Sequence, residues 1–397
     1  MAVFHYIAKD RQGMALSGNL EADILQQAIS VLHNKELVVI SVKEENTCEI
    51  KERSVSLDEL AIFTRELAAM VGAGITIVRA LRILCEQTEN KMLAAVTLKL
   101  REDVLGGANF CDAIGKHPRI FSPLYSIMVK TGEISGNLKE ILVTLAVYLE
   151  KAGNLQRRIR AAMVYPSIIV IMAALITAVL LIKVVPTFEG IFKTLGGELP
   201  LATQMLLMVS TIFRKYLIFA VILIVALLFC LKKYSKTPSG REMLDRRKLW
   251  LPVFGPLIRK VAIARFARTF ATTVKSAVPL LTALDIVAKT SENKIIEKAV
   301  AITISDIRNG ESISGGLAKN SVFPPMVTGM IGIGESTGQL SDMLTTIADL
   351  YEQQVDSAVD GLTAMIEPLV IGFLGIIIGG IVLALFMPVF TISQLIH

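Results

Sequence analysis

The chain has 397 residues, enough for two or three domains, of which 53% are hydrophobic and 19% charged, with a mean hydropathy of +0.59. That balance excludes an ordinary soluble protein, because the apolar excess is gathered into three blocks with the charges crowded outside them. Nor does the net charge of +6 point to nucleic acid: Arg157, Arg158 and Arg160, then Lys232, Lys233, Lys236, Arg241, Arg246, Arg247 and Lys248, flank the blocks without interleaved aromatics, as residues do that orient spans and touch anionic lipid heads.

The start, Met1 to Lys9, lacks a basic segment followed by an apolar run, so no cleaved signal peptide is expected and the N-terminus is placed in the cytoplasm. FHYIA, DRQG, SGNLEA, an amphipathic Ile24–His33 and LVVISV read as strand, turn, strand, helix, strand: a small N-terminal α+β module over residues 1–45. A charged stretch, Lys43–Ser54, reads as a linker, bounded at 46–56. The pattern then turns helical. Leu57–Val71 has apolar residues at i, i+3, i+4 spacing and stops at Gly72-Ala73-Gly74. A second helix reaches about Glu89 and a third covers Lys91–Leu105. Ser122-Pro123 makes an N-cap followed by proline at the first helical position, and Gly132 and Gly136 break the chain before a long helix from Leu138 to about Arg160. The expectation is a mainly α fold, with six short helices in a first cytoplasmic bundle over 57–162.

Three membrane spans are expected. The first, 163–186, is long enough at roughly 33 Å to cross the hydrocarbon. Its one charge, Lys183, lies near the far end, Pro166 near the start is a candidate kink, and Pro186 closes it. A periplasmic loop, 187–215, leads to a short second span, 216–231, bracketed by Arg214-Lys215 and Lys232-Lys233, which needs lysine snorkelling or apolar help from the preceding Leu201–Phe213 stretch. A second cytoplasmic bundle, 232–367, precedes a third span, 368–390, and a periplasmic tail, 391–397. The basic residues before span one and after span two keep both bundles on the cytoplasmic side. Span three departs from that rule: residues 348–367 hold several acids and no Lys or Arg, so its direction is inherited.

An internal repeat underlies this order. Phe63 and Arg65 recur 203 positions later as Phe266 and Arg268, and Ala80-Leu81 as Ala283-Leu284. TGEISGNL (131–138) recurs 202 positions later as IGESTGQL (333–340), and Phe121 and Pro123 as Phe323 and Pro325. Tyr165-Pro166 matches Glu367-Pro368, and Pro186 matches Pro388. One deletion near residue 117 explains the change of offset. Each unit is a bundle ending in a span, and the unpaired second span returns the chain so that both bundles face the same compartment.

Chemistry is harder to find. Gly115-Lys116 lacks the rest of a phosphate loop, the four histidines are scattered, and Cys48, Cys85, Cys111 and Cys230 share no metal or redox spacing. The spans carry no mid-membrane acid of the kind a proton relay needs. Neither catalysis nor a cofactor nor a metal is expected. The duplicated turns Gly132-Glu133…Gly136 and Gly334-Glu335…Gly338 are either a partner-contact surface or a structural turn in which Glu133 and Glu335 cap a helix N-terminus, the latter favoured. Arg65 and Arg268 are candidate intra-bundle ion-pair partners for those glutamates. Gly372, Gly375, Gly379 and Gly380 permit close helix packing, either in a dimer or against the chain's own spans.

The stretch from Arg158 through Tyr165-Pro166 to Pro186, the run LPVFGPLIRKVAIARFARTFA (251–271), the two Gly-Glu turns, and Pro368 and Pro388 in the second copy together resemble the inner-membrane platform proteins of type IV pilus and type II secretion machines, the PilC/GspF family. The likeness covers nearly the whole chain, with Glu367 standing where the first copy has Tyr165. It implies a homo-oligomeric scaffold that couples a cytoplasmic hexameric assembly ATPase to pilin or pseudopilin subunits, beside other inner-membrane assembly proteins and membrane lipid. The alternatives are a membrane adaptor or an oligomeric channel or transporter component unrelated to filaments.

Overall fold

The computed structural model of the chain describes residues 2–9, 15–22, 38–45, 54–187, 190, 201–235, 237–252 and 254–395. At the N-terminus three strands, β1 (Ala2–Lys9), β2 (Ala15–Ala22) and β3 (Val38–Glu45), form an antiparallel sheet in the order β2-β1-β3. Its registers pair Tyr6 with Gly18 and with Val42. Lys43–Glu45, the start of the charged stretch, belong to β3. The expected helix Ile24–His33 and residues 46–53 lie outside the described residues.

The first repeat comprises six helices: α1 (Leu57–Gly72), α2 (Ile77–Gln87), α3 (Lys91–Leu105), α4 (Phe110–Gly115), α5 (Pro123–Ser135) and α6 (Leu138–Val179). Ser56 starts α1 with a capping box, its side chain accepting from the Glu59 amide while Glu59 accepts from the Ser56 amide. Ser122 caps α5, with Pro123 in the first turn where no N–H is missed. α8 (Pro238–Trp250) leads into the second repeat, which matches the first helix for helix: α9 (Phe254–Lys275), α10 (Leu280–Thr290), α11 (Lys294–Arg308), α12 (Ile313–Ala318), α13 (Pro325–Thr337) and α14 (Leu340–Leu395).

Each core centres on aromatic rings. Phe63 and Tyr125 flank Phe121 at centroid distances of 6.4 and 4.9 Å, and the Tyr125 hydroxyl lies 3.2 Å from that of Thr64. In the second repeat Phe266 meets Phe323 at 4.8 Å and Phe270 at 5.9 Å. Leu67 and Tyr125 of the first repeat become Phe270 and Val327 in the second, all four buried. A ring lost on one helix is regained on another, which conserves core volume.

The sixth helix of each repeat is not short. α6 runs 42 residues, about 63 Å, through Pro166 without ending, and passes into a π-helical turn at Leu180–Val184. α14 runs 56 residues, about 84 Å, through both Pro368 and Pro388. Among the described residues these two helices, over Leu138–Thr187 and Leu340–Ala384, are long and apolar enough to cross a membrane. The expected loop 187–215 is corrected at its far end. One helix, α7 (Leu201–Tyr234), covers both residues 201–215 and the expected second span. Residues 201–234 hold no glycine or proline, so nothing in them stops a helix. The first part of α7 is also held by packing. Leu206, Leu207 and Phe213 close on Leu181, Val185 and Ile381, and buried Ser210 and Thr203 donate to the carbonyls of Leu181 and Ala384.

Candidate functional site: the repeated turn and the seam between the bundles

In both copies the Gly-Glu turn is assembled the same way. α5 and α13 end at Gly136 and Gly338 with φ of +74° and +72°, left-handed values that glycine alone adopts without strain. Four residues before each of these glycines, α5 and α13 pass hard against the next helix. A Cβ on Gly132 would lie 3.1 Å from the Leu138 Cα, and one on Gly334 3.0 Å from the Leu340 Cα.

Between these glycines the glutamate reaches across to a neighbouring helix start. Glu133 accepts from the Phe110 and Cys111 amides at 2.7 and 2.9 Å, and Glu335 from the Ile313 and Ser314 amides at 2.8 and 3.3 Å. Each carboxylate thus satisfies orphan N–H groups at the positive end of α4 or α12. Ser312 adds its own side-chain cap to α12, whereas Asn109 makes no such cap on α4. The Cys111 thiol beside Glu133 is pushed up to about 11, by burial and then by that carboxylate, so it is not a reactive thiolate at neutral pH.

Arg65 and Arg268 do not pair with those glutamates. Arg65 meets Glu150 on α6 at 2.6 Å, and Arg268 meets Glu352 on α14 at 2.8 Å and Asp349 at 2.5 Å. The reason is geometric. α1 lies antiparallel against α6, with Asp58 joined to Arg157 and Arg65 to Glu150, so each arginine faces the long helix rather than the turn. The two pairs differ in setting: the Arg65 side chain is 60% exposed and that of Arg268 13%. Burial works against the Arg268 charge, but Asp349 and Glu352 hold it above its ordinary value.

Arg268 is hidden because the first bundle packs over it. Lys151 of α6 stands 3.9 Å from both Asp349 and Glu352, Arg158 pairs with Asp356, and the Tyr148 hydroxyl lies 3.2 Å from that of Thr269. Toward the spans the contact turns apolar, with Leu155, Ile159 and Ala162 of α6 against Leu257 of α9 and Val355, Val359 and Leu362 of α14. A cavity of about 420 Å³ opens beside Lys151, Arg158 and the three acids. Every carboxylate in the seam faces a cation, so the arrangement fixes two helices to each other.

The remaining sequence candidates are spread along the long helices. Tyr165 is exposed and Pro166 buried within α6, Pro186 follows the π turn, and Pro368 and Pro388 lie inside α14. No described atom lies within 4 Å of a Cβ built on Gly372, Gly375, Gly379 or Gly380, so these glycines pack against no described part of this chain. Sequence reasoning missed the acid row Asp349, Glu352 and Asp356. Its spacing of three and four residues was the available signal, since it puts all three on one helix face. No group of three or more potential metal ligands occurs among the described residues.

A family model described as type II secretion system protein F matches the chain twice, over residues 63–186 and 266–388, and the model of that family's N-terminal domain matches residues 1–43. The paired match coincides with the two repeats, and the chain belongs to this family. It is 45% identical over 400 residues to a type IV pilus assembly protein PilC of Thermus thermophilus, covering 99% of this chain and 98% of that one. It is 38% identical to the PilC of Myxococcus xanthus, covering 99% of this chain and 95% of that one. It is also 32% identical to a type II secretion system protein F of Vibrio cholerae, covering 100% and 99%.

Proposed function

We propose that the protein is a non-enzymatic, multi-pass platform of the bacterial inner membrane that couples a cytoplasmic assembly ATPase to pilin or pseudopilin subunits. The reading rests on family membership and on one physical observation. α6 and α14 each leave a bundle and continue into an apolar segment with no intervening loop, and the seam joins them just before they do so. Movement of either bundle is then carried into the apolar segment by helix backbone rather than absorbed by a linker. The Lys/Arg bias favours residues 1–160 and the second bundle on the cytoplasmic side and the tail outside.

The test is to interrupt the rod. A short Gly-Ser insertion after Arg160 leaves both bundles intact and abolishes surface filaments or secretion. The same insertion in 191–199 leaves them. Filaments that survive the first insertion refute mechanical coupling, and failure of the chain to co-purify with the assembly ATPase from membranes refutes the partnership.

A further inference from the structure

The sequence contains one tryptophan, Trp250, and it stands at the end of α8 with 87% of its surface exposed. Leu251 and Phe254, on either side of the turn into α9, are exposed as well, and Arg246, Arg247 and Lys248 immediately precede it on the surface. The turn is tightly built: a Cβ on Gly255 would lie 2.4 Å from the Leu249 carbonyl oxygen, so the end of α8 is held against the start of α9.

The helix register places this corner. α9 runs antiparallel to α14, since Arg268 meets Asp349 and Glu352 while Leu257 packs with Val355 and Val359. Phe254, one turn before Leu257, therefore stands level with residue 362 of α14. That is about 9 Å short of Pro368, where the uncharged run begins, and so comparable with the depth of a lipid headgroup layer. Two of the basic residues have modest protein partners. Arg246 comes no nearer than 3.8 Å to Glu242, and Lys248 is held 3.0 Å from the buried Asp245 carboxylate, which also accepts from the Lys294 amide at the start of α11.

We infer that Trp250, Leu251 and Phe254, with Arg246 and Arg247, form an interfacial anchor that docks the α8–α9 corner onto anionic phospholipid at the cytoplasmic face of the membrane. The indole and Phe254 reach from the headgroup layer toward the acyl boundary and the guanidinium groups meet phosphate, the division of labour of an interfacial amphipathic segment. The anchor fixes the second bundle to the bilayer at a point that is neither α6 nor α14. It rests on the bilayer reading proposed above.

The single tryptophan makes the test free of labels. The full-length chain is reconstituted into vesicles of phosphatidylcholine alone, or mixed with phosphatidylglycerol, and Trp250 fluorescence is read. With phosphatidylglycerol the emission shifts to the blue, is quenched by lipids brominated in the acyl chain, and is protected from acrylamide. R246Q and R247Q each lower the docked-to-undocked ratio by about fivefold. Emission that stays fully accessible to acrylamide in phosphatidylglycerol vesicles overturns the anchor. So does protection that is equal in phosphatidylcholine and unmoved by R246Q or R247Q, which assigns the cover to protein. A chain that fails to float with vesicles after alkaline washing overturns the bilayer reading as well, a result distinct from a floated chain whose indole remains wet.

Discussion

The two repeats share a turn and differ in what covers them. In both, a glycine lets two helices touch, a glutamate caps a third, and an arginine pairs with the last helix. In the first repeat Arg65 and Glu150 face outward, while in the second the matching Arg268 and Glu352 lie under the other bundle and have acquired Asp349 and Lys151 as neighbours. Features present in both copies are thus those a bundle needs to fold, and features present in one copy are those the chain needs to join its halves.

That division can be broken most severely at the shared glycines. Gly334→Val or Gly132→Val, pushed against backbone at 3.0–3.1 Å, costs about 3 kcal/mol in chemical denaturation of the full chain, with similar losses in both copies. Unequal losses, with one copy unaffected, would contradict a common folding role.

The arginines sharpen the contrast. Arg268→Ala removes a mostly buried guanidinium, leaves Glu352 and the half-exposed Asp349 with only the more distant Lys151, and costs about 2 kcal/mol, whereas the exposed Arg65→Ala costs less than about 1 kcal/mol. Equal costs would mean that the seam does not shield Arg268 in solution.

Next come the glutamates. Glu133→Ala strips α4 of its side-chain cap and costs about 1.5 kcal/mol, while Glu335→Ala costs about 1 kcal/mol because Ser312 still caps α12. The order of the two melting temperatures checks this. The smallest effect is on pH dependence. Burial, then the Lys99 ammonium, lowers the His117 pKa below 6.5, so the unfolded chain binds that proton more readily. Stability contributed above that value is lost as pH falls below it, and His117→Gln flattens that part of the pH–melting profile.

Much of this fold was legible in the sequence. The repeat, its change of offset and the glycine-bounded turns are local patterns, and the offset recurs in the contacts: Glu133 and Glu335 lie 202 apart, their partners Phe110 and Ile313 lie 203 apart. Partners across helices were less legible. Duplication makes Arg65 a candidate partner of Glu133, but it does not say which helix faces which, and Arg65 meets Glu150 instead. The acids of 348–367 read as a missing positive bias, when Asp349, Glu352 and Asp356 are the counter-charges of Lys151, Arg268 and Arg158. The start of α7 at Leu201 is hard to read because Arg214-Lys215 interrupts the apolar run, although charges do not end a helix as glycine or proline does.

The uninterrupted course of α14 carries a consequence of scale. A rod of about 84 Å converts a tilt of about 10° at one end into a sideways displacement of about 15 Å at the other. That is wider than a helix with its side chains. A change at the seam too small to unpack either bundle, a rocking of α14 by about 10° against α6 around Val355, is therefore read out at Leu395, about 60 Å further on, as a shift of about 10 Å, comparable with exchanging one neighbouring helix for the next.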